Sequence, residues 1–193
     1  MTGCDSAAPA PTGDALYADA KQTYMDYREF VNGVQSVLST GPWEIGQLGV
    51  YGMQPDQCDN GAGYRFDLNR SLNLDPSTRE SNADAVEEHL KDAGLSPSRR
   101  VLGVGDESLI QVAVRDQGGF SQLLIEFDGQ GRVRVAADTS CRPGDAHELS
   151  DMLFGDEVFL AGYLPTDVES PTDPLFFGIT PGDPQFVRET PAP

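Results

Sequence analysis

Cys4, Cys58 and Cys141 are the residues of this 193-residue chain whose type lends itself most directly to chemistry. A thiol can attack a substrate, ligate zinc, carry a lipid as a thioether, or join a second thiol, and its neighbours and spacing select among these. Zinc is poorly served, because Cys58 and Cys141 stand far apart and only His89 and His147 could complete a ligand set. The odd count matters more: in an exported protein it leaves one reactive thiol unless one of the three has another fate.

Other reactive constellations fail on spacing. There is no G-x-S-x-G elbow and no Ser-x-x-Lys pair to make a nucleophile. Gly103-Val104-Gly105 lacks the third glycine of a dinucleotide fingerprint, and no phosphate-binding G-x-x-x-x-G-K-[ST] occurs. His147-Glu148 lacks the second histidine of a zincin, and His89, beside Glu87 and Glu88, reads as a solvated side chain. Asn69-Arg70-Ser71 matches a glycosylation acceptor, a triplet common by chance. The acid pairs Asp106-Glu107 and Asp156-Glu157 read as solvated turn residues, and no EF-hand loop is present. No catalytic residue, metal or cofactor is therefore expected.

Charge narrows the partners. Thirteen basic residues against 31 acidic ones give a net charge of −18, which repels nucleic-acid backbones and anionic lipid headgroups alike. Such a charge keeps a protein soluble next to an anionic surface, and nucleic acid is excluded as a partner.

Thr2-Gly3-Cys4 places two small residues before a cysteine, and the next stretch, Asp5-Ser6-Ala7-Ala8-Pro9-Ala10-Pro11-Thr12-Gly13, has too little apolar area to fold and reads as a spacer. This lipobox-like triplet and tether, with the Ala, Asp and Gly usage and the acidic, Pro-rich carboxyl end, resemble bacterial cell-envelope lipoproteins of actinobacterial type. The resemblance implies that Cys4 is lipidated, that Met1 is a start or cloning residue, and that the protein is held to the outer face of the cell membrane. Two long acyl chains at about 0.8 kcal/mol per buried CH₂ make such an anchor effectively permanent. No apolar stretch of about 20 residues offers a membrane-spanning helix instead.

With Cys4 so used, Cys58 and Cys141 are left to each other. Their disulfide would close a loop of roughly 80 residues and contribute on the order of 4 kcal/mol in the chain-entropy picture.

The elements that must position these residues follow from periodicity. Leu16, Ala20, Tyr24, Tyr27, Val31, Val34 and Leu38 recur at helical steps, so a helix is predicted from Asp14 to about Leu38, capped by Thr12 or Asp14 and stopped by Gly41-Pro42. Trp43 to Met53 and Gly63 to Leu72 read as strands, the second by alternation of Tyr64, Phe66 and Leu68 with Arg65, Asp67 and Asn69. A second helix is expected from Glu80 to Ala93, ended by Gly94. An antiparallel meander then runs through Val101 to Val104, Leu109 to Arg115, Phe120 to Phe127 and Arg132 to Asp138. Gln111, Arg115, Gln122, Glu126, Arg132 and Arg134 would line its water-facing side.

After Cys141 the composition changes to two arginines against ten acids with eight prolines. A short helix around Ala146 to Leu153 and the apolar island Leu175-Phe176-Phe177-Gly178-Ile179, expected to fold back onto the domain, interrupt it.

The expected architecture is α+β: two helices on one face of an antiparallel sheet of five or six strands, in two layers, with one disulfide. Residues 1–13 form the lipidated tether, 14–141 the globular domain, and 142–193 an acidic Pro-rich extension that is partly ordered at most. The expected role is non-catalytic binding or scaffolding of an envelope protein partner. A small-molecule or lipid carrier, which needs a concave apolar pocket, and a secreted hydrolase, which needs buried carboxylates in a cleft, are the rival classes.

Overall fold

A computed structural model describes residues 9–45, 52–59, 61–155 and 168–178. The apolar stripe from Leu16 to Val34 winds into α1 (Gly13–Leu38), whose stripe residues are buried. Thr12 occupies the cap position without a side-chain capping bond; the free amide of Gly13 instead donates to Glu148 Oε1 at 2.7 Å. After α1 come β1 (Trp43–Ile45), β2 (Pro55–Gln57), β3 (Tyr64–Asn73), α2 (Arg79–Asp92), β4 (Ser98–Leu102), β5 (Leu109–Gln117), β6 (Phe120–Phe127), β7 (Arg132–Thr139), α3 (Ala146–Phe154) and β8 (Val168–Glu169).

The strands form one antiparallel sheet in the order β4-β5-β6-β7-β3-β1-β8, with β2 pairing the first part of β3. Period-two alternation sends Phe66, Leu68, Ile110, Val112, Leu123, Ile125, Val133 and Val135 to the face covered by helices, where they are buried with the α1 stripe and Ala83, Val86 and Leu90 of α2. Trp43 is fully buried at the sheet's start and donates Nε1–H to the Ser39 carbonyl at 3.2 Å.

The α+β class holds, with corrected counts: three helices and eight strands among the described residues, where two and five or six were expected. The expected strand Trp43 to Met53 is present only as Trp43–Ile45 and is followed by a separate β2; residues 46–51 lie outside the described residues. Gly52, at φ +68°, turns the chain so that its carbonyl accepts the Tyr27 hydroxyl. The meander's first strand begins at Ser98, three residues before the apolar run, because an edge strand need not alternate.

The packed body also continues past Cys141. Ala146, Leu149, Leu153 and Phe154 of α3 are buried, β8 pairs with β1, and Phe176 and Phe177 lie against the core. The boundary expected at 141 followed the change in composition, whereas the core takes in Ala146, Leu149, Leu153 and Phe154 from this acidic stretch. Ile179 and the pair Asp156-Glu157 fall outside the described residues.

Candidate functional site

The sulfurs of Cys58 and Cys141 are bonded, across 83 positions of sequence. The link ties the turn before β3 to the residue just beyond β7, and the backbone makes the same connection again: Tyr64 N–H donates to the Arg142 carbonyl at 2.9 Å and Arg142 N–H to the Tyr64 carbonyl at 2.8 Å. Gly63 makes the approach feasible, since a Cβ there would stand 2.5 Å from the Arg142 carbonyl oxygen. Asp19 of α1 closes this corner by accepting from the Tyr64 hydroxyl at 2.7 Å and from Arg142 Nη2 at 2.6 Å. Cys4, the expected lipidation site, lies outside the described residues.

At the opposite end of α1, two arginines are buried among apolar side chains. Arg28 Nη2 lies 2.9 Å, and Arg70 Nε 2.5 Å, from Glu169 Oε1, with all three side chains almost wholly removed from water. Arg70 takes the core-facing slot after Tyr64, Phe66 and Leu68, and Glu169 of β8 meets it because β1 sits between β3 and β8. Burial pushes the Tyr24 phenol, which accepts from Arg28, up to about 12. Glu169 Oε2 and Arg70 Nη2 have no hydrogen-bond partner among the described residues. The two guanidinium groups grip Glu169 through one oxygen, and the cluster clamps β8 to α1 and β3.

The water-facing side of the sheet carries two carboxylates raised above their ordinary values. Asp67 of β3 is the cross-strand partner of Asp138 of β7. Burial, then the charges of Asp56 and Asp138, push Asp67 up to about 6; burial also raises Asp138, against the pull of Arg65. Further along lies a row one residue wide that crosses the sheet. Arg100 pairs with Gln111, Gln111 with Glu126, Glu126 with Arg134, Arg134 with Ser71, and Ser71 with Glu44. Gln111 Nε2 donates to Glu126 Oε1 at 2.6 Å, Arg134 Nε to Glu126 Oε2 at 2.7 Å, and Ser71 Oγ to Glu44 Oε2 at 3.4 Å. The row ends at Arg100 on edge strand β4, where Val101 is 58% and Leu102 46% exposed, followed by Val104 at 87%.

Two surface grooves accompany these features. One of about 580 Å³ runs between Pro11, Gln57 and the segment Cys141–Ala146, and one of about 480 Å³ lies between Glu29 and Asn32 of α1 and Pro171 and Asp173. No group of three or more His, Cys, Asp or Glu side chains could hold a metal ion among the described residues.

Sequence reasoning placed Gln111, Glu126 and Arg134 on the open face, where they meet. It missed the buried Arg28, Arg70 and Glu169, for which the only local signal was that Arg70 continues the core-facing alternation of β3. His89 is half-buried, not solvated: it sits between α2 and α1 with its ring centroid 6.4 Å from that of Phe30. No helix among the described residues is long and apolar enough to cross a membrane. No protein-family model, curated protein or solved structure matches this chain.

Proposed function

We propose that this chain is the exported domain of a bacterial cell-envelope lipoprotein, anchored by lipid on Cys4, that binds an envelope protein partner and performs no catalysis. The observation that carries the reading is the Cys58–Cys141 bond. Such a crosslink belongs to oxidising compartments, and it leaves Cys4, behind Thr2-Gly3, as the odd cysteine available for a thioether.

The arrangement of carboxylates supports binding over hydrolysis. The buried Glu169 is held by Arg28 and Arg70, and the raised pair Asp67 and Asp138 stands on the sheet face opposite the helices and lines neither groove described among these residues. The surface charge of −18 holds the domain away from anionic headgroups and suits a tethered protein that meets its partner in the aqueous layer above the membrane.

Fractionation of the native host tests the anchor. The wild-type protein is expected in the membrane fraction with diacylglycerol mass on Cys4, and the Cys4→Ser form in the soluble fraction. Membrane retention of Cys4→Ser, or an unmodified cysteine in the isolated protein, would overturn the reading.

A further inference from the structure

The β4 edge is only partly protected. β4 pairs through five consecutive residues with β5, from Ser98 opposite Ala113 to Leu102 opposite Leu109, and has no strand on its other side among the described residues. Natural edges are blunted by short length, charged side chains, bulges, inward charges, prolines within the strand or a covering element, and of these β4 has its short length and the charges of Arg99 and Arg100. Here the register is unbroken, and Val101 and Leu102 are exposed on opposite faces of the same strand, with Val104 just beyond. These are three of the five large apolar side chains exposed among the described residues.

Charge says what fits beside it. On the helix side, Arg99 is already occupied by Glu80 and Asp84 of α2. On the open side, Arg100 terminates the polar row: Glu44 is paired with Arg132 and Glu126 with Arg134, whereas the cross-strand neighbour of Arg100 on β5 is the neutral Gln111. Arg100 is exposed and has no ion-pair partner among the described residues. The next strand in this ladder would complete it with an acidic side chain opposite Arg100 and an apolar one opposite Val101.

We propose that β4 is a strand-docking edge that takes an extended segment of a partner protein as an added strand, with an acidic residue facing Arg100 and an apolar residue facing Val101. Main-chain hydrogen bonds supply affinity and the two alternate side chains supply selection, as in other strand-addition complexes. A second copy is a poor occupant, because antiparallel pairing of two β4 strands centred on Arg100 sets the two arginines against each other. The inference names a surface for the binding role proposed above and does not depend on the anchor.

The test uses the full chain carrying Cys4→Ser, with a fluorescent probe peptide of alternating valine and glutamate and a control of alternating valine and lysine. The glutamate peptide is expected to bind and to protect the amides of residues 98–102 from hydrogen exchange. Arg100→Glu should weaken it about tenfold and reverse the preference between the two peptides. Val101→Asp, an exposed substitution that leaves thermal stability near the wild-type value, should abolish binding. Equal affinity for both peptides, protection away from β4, or absence of binding to the folded chain overturns the proposal. So does self-association that Arg100→Glu abolishes, which would make a second copy the occupant. None of these outcomes bears on lipid at Cys4, which fractionation decides by itself.

Discussion

Asp67 and Asp138 oppose each other directly on neighbouring strands, two carboxyl groups where a sheet ordinarily places opposite charges or neutral pairs. Asp67 is the more perturbed, at about 6 against an ordinary 3.8. A carboxyl whose folded value is raised adds stability that is complete below its unfolded value and is lost as pH climbs through the folded one. The stability contributed by Asp67 therefore falls between about pH 4 and pH 6.5. Asp67→Asn should have almost no effect at pH 4 and should stabilise the protein by about 1 kcal/mol at pH 7.5, after allowance for solvent screening of a half-exposed group. Thermal melts of both forms across this range measure the difference; a constant gap at all pH values contradicts the assignment.

Glu169 neutralises two arginines that have no access to water. Glu169→Gln should lower unfolding free energy by about 3 kcal/mol, read from urea denaturation, because it strands buried charge. Replacing all three members with apolar residues of similar size, Arg28→Met, Arg70→Met and Glu169→Leu, should recover most of that loss. Equal loss in the triple variant would show that the cluster contributes more than charge balance.

Removing the crosslink should be costly but survivable. The Cys58→Ser, Cys141→Ser double variant is expected to lose about 4 kcal/mol, with far-ultraviolet dichroism unchanged below the transition. The Tyr64 and Arg142 backbone pair and the Asp19 bridge hold the same corner without sulfur. Wild-type protein treated with dithiothreitol should melt at the temperature of the double variant.

Phe177 is half-buried with its ring centroid 5.2 Å from Tyr17, 5.1 Å from Tyr24 and 6.1 Å from Phe66. Phe177→Ala should cost about 2 kcal/mol and speed protease cleavage within residues 168–178, as seen by mass spectrometry of timed digests. Unchanged cleavage would mean that β8 and Glu169 hold this segment without the ring.

Much of the architecture was legible where burial follows a local period. Leu16 through Val34 in α1 and the alternating Ile110, Val112 and Val114 of β5 were read from spacing and are buried as read. What escaped depends on partners distant in sequence. Glu169 lies in a stretch whose prolines and acids signal extension, and nothing near it announces two arginines contributed by α1 and β3. The opposition of Asp67 and Asp138 requires the register between β3 and β7, which periodicity leaves open by any even number of residues. The strand expected at Val101 to Val104 runs Ser98–Leu102 instead, because Arg99 and Arg100 hide the start of an edge strand whose charges protect it and Gly103, at φ +82°, ends it.

The clamp of Glu169 on Arg28 spans 141 positions of the chain. The earliest helix consequently waits for nearly the last described residues before its buried guanidinium finds a counter-charge. Contacts between residues so far apart in sequence slow folding, and this one forms only when both ends of the described body are in place. Helix and far strand are thereby interlocked: neither loosens without leaving an uncompensated charge inside the other's packing.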